Sequence, residues 1–231
     1  MSHRIDTEAD LAAAIAELAE ADPRFHPLLT ITGTPPLRRR PGGFAGLVSI
    51  IVSQQLSTAS ASAIWGRLTA AYDPFEPGQL LRARATRLAR LGLSAAKIRT
   101  LRAIATAIDS GALDLDGLAD LDADVAHAAL TAIHGIGPWT ADIYLLTCLG
   151  HSDAWPSGDL APQEVARMAC SLNARPTPKA MVALAEPWRP WRGVAARVLW
   201  SYYRSVKRRD GAPIAANVEP AAKKKLKQAA K

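Results

Sequence analysis

Residues 130–146 read LTAIHGIGPWTADIYLL: an apolar helical segment, a glycine-flanked turn at Gly135-Ile136-Gly137, then Pro138 and a second apolar helical segment. Two helices joined by so short a turn fold back on one another as a hairpin. Both glycines lack a Cβ, so the backbone there can take positive φ and approach a ligand closely, and proline suits the first turn of the helix that follows. The first amides of that helix have no intrahelical partner and lie at the positive end of its dipole, which makes a phosphate oxygen a natural guest. Ile136, at the tip, can plug the hairpin into a core. The plainer alternative is an ordinary helical corner with a glycine C-cap and no ligand.

Helical periodicity recurs along most of the chain and strand alternation almost nowhere, which predicts an all-α fold of about ten helices in two lobes with a cleft between them. Residues 7–21 open on a Thr-x-x-Asp capping signal and set Leu11, Ile15 and Leu18 on one face. A Pro- and Arg-rich linker at 32–43 precedes helices over 44–55 and 58–72, joined near Leu56-Ser57. Residues 79–91 read as one further helix. Ser94 caps the next, with Ile98, Leu101, Ile104 and Ile108 at core spacing and Gly111 at its end. Residues 122–133 and 138–149 are the hairpin pair. Beyond Asp159 come an amphipathic run with Val165, Met168 and Leu172, a helix over 178–185 and a last one over 191–206. Residues 1–209 form the expected folded unit, and 210–231, rich in Ala and Lys, read as a disordered basic tail.

A length of 231 residues at 49% hydrophobic content suffices for one large domain or two small lobes with a real core. The net charge of +7 implies attraction to polyanions, although five lysines lie in residues 222–231. Within the folded part, Arg38, Arg39, Arg40, Arg82, Arg84, Arg87, Arg90, Lys97, Arg99 and Arg102 are candidates for touching phosphate, each also readable as part of a solvated helix face. Cys148 and Cys170 fall in helical patterns and read as buried thiols in a reducing compartment. No His or Cys spacing suits a metal, so His127, His134 and His151 read as surface or capping residues. No apolar run is long enough to cross a membrane and no signal peptide is visible, which makes the cytoplasm the expected location.

Three segments stand in a telling order and spacing: Ile51-Val52-Ser53-Gln54-Gln55-Leu56-Ser57, His134-Gly135-Ile136-Gly137-Pro138-Trp139-Thr140-Ala141 and Trp155-Pro156-Ser157-Gly158-Asp159-Leu160. With the later Trp188-Arg189-Pro190-Trp191-Arg192 they resemble the helix-hairpin-helix (HhH-GPD) DNA glycosylases, and within them the 3-methyladenine DNA glycosylase II group. The resemblance spans residues 40–205. It implies the two-lobed helical glycosylase fold, without the N-terminal β-rich domain that some members carry. It also implies damaged double-stranded DNA as partner and a monomer associated with the nucleoid. No cofactor is expected, the four cysteines of an iron–sulfur cluster being absent, except a monovalent cation that relatives hold on hairpin carbonyls.

Cleaving an N-glycosidic bond leaves a sugar with oxocarbenium character, which a nearby carboxylate can stabilise while it orients or deprotonates water. The family's catalytic aspartate maps onto Asp159. By its residues alone Asp159 reads first as an N-cap, and Asp142 and Asp153 are the competing carboxylates. Relatives that also nick the backbone carry a lysine where this chain has Trp139. An indole cannot form a Schiff base, so the resemblance implies a monofunctional enzyme that leaves an abasic site and has no lyase activity. Trp139 offers an electron-rich wall to a flipped cationic purine, or else packs beneath the hairpin.

Trp200 maps to a second pocket aromatic, and Gln54 and Tyr144, which follows Ile143, are further pocket candidates. Trp188 and Trp191 are expected to pack locally, with Trp65 and Trp155 in the core. Gln55 maps to the residue that fills the gap left by a flipped nucleotide; alternatively Gln54 and Gln55 cap a helix end. His134, Gly135, Ile136, Gly137 and Thr140 complete the expected DNA-binding set. The expected activity is removal of alkylated purines such as 3-methyladenine and 7-methylguanine in base excision repair. Alternatives are a glycosylase for neutral damaged bases, hypoxanthine or uracil, and a non-catalytic helix-hairpin-helix DNA-binding module.

Overall fold

The computed structural model describes residues 4–169 and 172–207, so Cys170 and the expected tail at 210–231 lie outside the described residues. Among the described residues twelve α-helices follow one another: α1 Glu8–Ala21, α2 Phe25–Thr32, α3 Gly43–Ser53, α4 Thr58–Ala71, α5 Pro77–Arg82, α6 Ala85–Arg90, α7 Ala95–Asp109, α8 Ala123–Thr131, α9 Pro138–Tyr144, α10 Leu160–Ala169, α11 Pro178–Ala185 and α12 Arg192–Lys207. Among the described residues the only extended pairing is a single bridge between Arg4 and His151. The all-α fold is as expected.

Local signals start most of these helices. The Thr7 hydroxyl accepts from the Asp10 amide at 3.1 Å while Asp10 accepts from the Thr7 amide at 2.8 Å, a reciprocal cap that puts Leu11, Ile15 and Leu18 inward. Ser57, Ser94, Asp122 and Thr177 cap α4, α7, α8 and α11 one way only, each side chain accepting from first-turn backbone amides.

The extensive helix contacts fall into two groups. In the first, α12 packs against α1, α2 and α10; in the second, α3 packs against α4, α7 and α9, while α5 and α6 lie on α7 and α8 on α9. One continuous apolar core joins the groups. The connecting segment after α9 is pinned by Asp153, which takes Arg192 at 2.9 and 2.8 Å and Arg189 at 2.7 Å; both arginines also reach Asp124. Breaking so buried a pair is costlier than omitting it, because the orphaned charge stays desolvated. The network therefore fixes where the chain runs between hairpin and α10.

Several expectations are corrected. Residues 79–91 are two short helices, because the Ala83 carbonyl leaves the helical ladder and accepts from Arg102 of α7 at 2.6 Å. Residues 25–32 form a further helix, α2, whose Phe25 meets Trp188 edge-on at 5.1 Å. The second hairpin helix ends its α-helical course at Tyr144 and continues as a π-helical turn over Leu145–Leu149. Trp188 and Trp191 do not pack locally: their indoles donate to Asp22 at 2.7 Å and Glu17 at 3.1 Å, across the first group. His151 is buried, not superficial, with Nε2 at 2.9 Å from the Leu121 carbonyl, and burial lowers its pKa.

Candidate active site at the hairpin

The hairpin turn is shaped by a close approach. Gly135 has φ +85°, and a Cβ there would lie 2.0 Å from Oγ1 of Thr100 on α7, so both conformation and space require glycine. Ile136 is buried and its amide closes the turn onto Ile133 at 3.0 Å. Gly137 caps α9 in extended conformation, open space lies where its Cβ would be, and Pro138 fills the first helical position. Among the described residues the amides of Gly135 and Gly137 make no intramolecular hydrogen bond. His134, Gly135 and Gly137 are exposed. The turn thus presents unpaired donors at a helix N-terminus, the arrangement that suits a phosphate.

Asp159 stands at the start of α10 and is 6% exposed. Its Oδ1 accepts from the Ala161 amide at 2.9 Å, so the capping reading holds. Its Oδ2 accepts from the Trp139 indole Nε1 at 3.1 Å, so the same carboxylate also faces the hairpin helix. One donor comes from each helix group. Each oxygen retains a lone pair for a further partner such as water. So little exposure means that a base-sized ligand reaches the carboxylate only when neighbouring side chains move. A separate surface cavity of about 440 Å³, lined by Leu160, Glu164, Arg175, Tyr203 and Lys207, does not include Asp159.

The competing carboxylates are otherwise occupied. Asp153 is engaged by Arg189 and Arg192. Asp142 is buried with Oδ1 3.7 Å from His127 Nε2, and burial holds its carboxyl well above the usual range, towards the neutral form. His127, expected at the surface, is half-buried there, and burial lowers its pKa.

The other candidates divide. Gln54, half-buried, donates from Nε2 to Thr140 Oγ1 at 2.7 Å, linking the end of α3 to the first turn of α9; Thr140 is buried, its hydroxyl engaged by that bond. Gln55 is exposed with φ +57°, a left-handed conformation that costs a non-glycine residue about 1–3 kcal/mol and that concentrates at functional positions. Lys97, a phosphate candidate by sequence, instead donates to the carbonyls of Val52 at 2.8 Å and Gln54 at 2.9 Å, capping α3 and shaping the Gln55 turn. Its partners lie more than forty residues away in the chain, and no local signal marks them. Trp200 is buried on α12, and its indole N–H has no hydrogen-bond partner among the described residues. Tyr144 is a correction: at 0% exposed it belongs to the core. A helix turns about 100° per residue, so Trp139 and Ile143 share a face of α9 while Tyr144 points roughly 140° from Trp139.

A family profile described as HhH-GPD superfamily base excision DNA repair protein matches residues 48–190. The chain is 32% identical over 223 residues, 85% of its length, to the "Probable bifunctional transcriptional activator/DNA repair enzyme AlkA" of Mycobacterium tuberculosis, and it spans 40% of that protein's length. The crystal structure of DNA-3-methyladenine glycosidase from Bacillus halodurans superposes with a TM-score of 0.77 at 30% identity, covering 91% of this chain and 95% of that one. The Schizosaccharomyces pombe 3-methyladenine DNA glycosylase (Mag1) in complex with abasic DNA gives 0.70 at 26% identity, covering 84% and 97%. With the hairpin, the carboxylate at the start of α10 and the helical architecture in agreement, the chain belongs to the HhH-GPD superfamily of base excision DNA repair proteins.

Proposed function

We propose that this protein is a monofunctional DNA glycosylase, acting as a monomer on chromosomal DNA in the cytoplasm, that excises alkylated purines such as 3-methyladenine and 7-methylguanine. The observation that carries the proposal is the Asp159 carboxylate, fixed by the Trp139 indole and the Ala161 amide beside a phosphate-suited turn. Relatives named for 3-methyladenine support the substrate class.

In the proposed reaction the hairpin amides hold the strand and Gln55 fills the gap left by the extruded nucleotide. Ring alkylation gives the purine a positive charge, so the C1′–N bond breaks with its electron pair neutralising the departing base. Asp159 stabilises the positive charge growing on the sugar and accepts a proton from the water whose oxygen bonds to C1′. The Trp139 and Trp200 rings offer π surfaces to the cation. Trp139 occupies the position of the amine used by strand-nicking relatives, and residues 103–166 contain no lysine at all, which supports water as the only nucleophile. The carbonyls of His134 and Gly135 accept no hydrogen bond among the described residues, leaving them able to hold a monovalent cation that would add positive charge for the phosphate.

The test is chromatographic identification of bases released from alkylated genomic DNA by wild type and Asp159→Asn. Release of methylated purines by wild type, reduced at least ~100-fold in the variant, is expected. Binding without release of any base assigns the chain to the non-catalytic module instead, and borohydride trapping on DNA would contradict the monofunctional reading.

A further inference from the structure

Charge is segregated along this chain. Residues 77–102 contain seven Lys and Arg and no Asp or Glu, whereas residues 103–166, which carry both the hairpin and Asp159, contain ten carboxylates and neither Lys nor Arg. Three of those carboxylates, Asp124, Asp153 and Glu164, are paired with arginines from outside the stretch, and Asp142 is buried. Asp109, Asp114, Asp116, Asp120 and Asp122 remain exposed. The hairpin therefore brings no lysine or arginine of its own to a phosphate, and the carboxylates of its segment repel one.

The compensating charge lies on the neighbouring elements. Of the seven cations, Lys97 and Arg102 are tied to backbone carbonyls and Arg87 sits 5.1 Å over the Tyr72 ring. Arg82, Arg84, Arg90 and Arg99 are exposed and make no ion pair among the described residues. Arg84, Arg87 and Arg90 recur every third residue along α6, which keeps them towards one side of that short helix. These elements adjoin the candidate site directly. Thr100 of α7 touches the hairpin glycine, and Lys97 of the same helix binds the carbonyl of Gln54. Arg99 thus sits on the helix that meets both the hairpin and the Gln55 turn, and α5 and α6, with the other three arginines, pack on that same helix.

We infer that the exposed arginines of α5–α7 supply the electrostatic part of DNA binding, taking phosphates of the duplex that flanks the extruded nucleotide while the hairpin contributes uncharged contacts. Duplex DNA presents closely and regularly spaced phosphates, and a guanidinium pairs with phosphate through two parallel donors. The inference rests on the reading that the chain acts on duplex DNA.

The full chain is titrated onto labelled duplex bearing an abasic-site analogue at several salt concentrations. Wild type is compared with Arg82→Gln/Arg84→Gln/Arg90→Gln/Arg99→Gln, with Arg99→Gln alone, and with a variant whose lysines in residues 222–231 are glutamine. Removing one arginine–phosphate pair lowers the slope of log affinity against log salt by about one, so the quadruple variant is expected to lose about two to four and Arg99→Gln up to about one. A slope unaltered in the quadruple and single variants, with the loss appearing only in the lysine variant, overturns the inference. Should wild type bind duplex yet release no base, the catalytic reading fails while the slopes still decide this one.

Discussion

Replacing Gly135 with alanine tests whether the hairpin is held by packing against α7. Two penalties add. A residue with a Cβ at φ +85° costs about 1–2 kcal/mol relative to glycine. The new methyl would also stand 2.0 Å from Oγ1, 2.9 Å from Cβ and 3.0 Å from Cγ2 of Thr100, so α7 or the turn must shift, an overpacking that typically costs about 1–3 kcal/mol. Together these give about 2–5 kcal/mol, a large share of the total for a domain. Urea unfolding followed by circular dichroism reads the loss directly. Thr100→Ala removes the oxygen and the methyl but leaves the Cβ, so in the Gly135→Ala background it should restore about 1–2 kcal/mol, although alone it deletes buried packing and destabilises. Additivity of the two substitutions within about 0.5 kcal/mol would refute the steric argument.

Two further outcomes are expected. Trp139→Phe keeps an aromatic ring but removes the N–H donated to Asp159; a hydrogen bond to a charged group contributes about 1.5–3 kcal/mol, so single-turnover excision should fall roughly 10- to 100-fold with little change in DNA binding, and an unchanged rate would dismiss the positioning role. Asp22 is held at a pKa of about 2 by Arg24, with Trp188 also donating, against 3.8 for the free side chain. A carboxyl depressed on folding stabilises above its unfolded pKa and loses that contribution as pH falls towards its folded pKa. Thermal unfolding across pH 5 to 2 should show a loss of about 2 kcal/mol that is absent in Asp22→Asn.

What the sequence discloses and what it conceals follow from the range of the forces involved. The hairpin is legible because its determinants are adjacent: Gly135 at positive φ, Ile136 turned into the core and Pro138 at the first helical position. The capping box of α1 is legible for the same reason. The break between α5 and α6 carries neither glycine nor proline; it depends on Arg102, nineteen residues on, drawing out one carbonyl. Asp159 can be nominated from its context, yet its second oxygen is met by an indole twenty residues earlier, a contact only the tertiary fold creates. Lys97 is a surface cation by composition and an α3 cap by geometry. Tyr144 is assigned to the pocket when helical phase is ignored, one position after the face that Trp139 presents.

The pairing of α1 and α2 with α12 closes the chain into a loop, with the Trp188 indole reaching Asp22 across 166 residues. During synthesis α1 and α2 emerge well before α12, so the apolar faces they turn to it stay uncovered while α3 to α9 follow. Asp159 likewise emerges after the hairpin, so the Trp139 indole can reach its carboxylate only once the two helix groups meet.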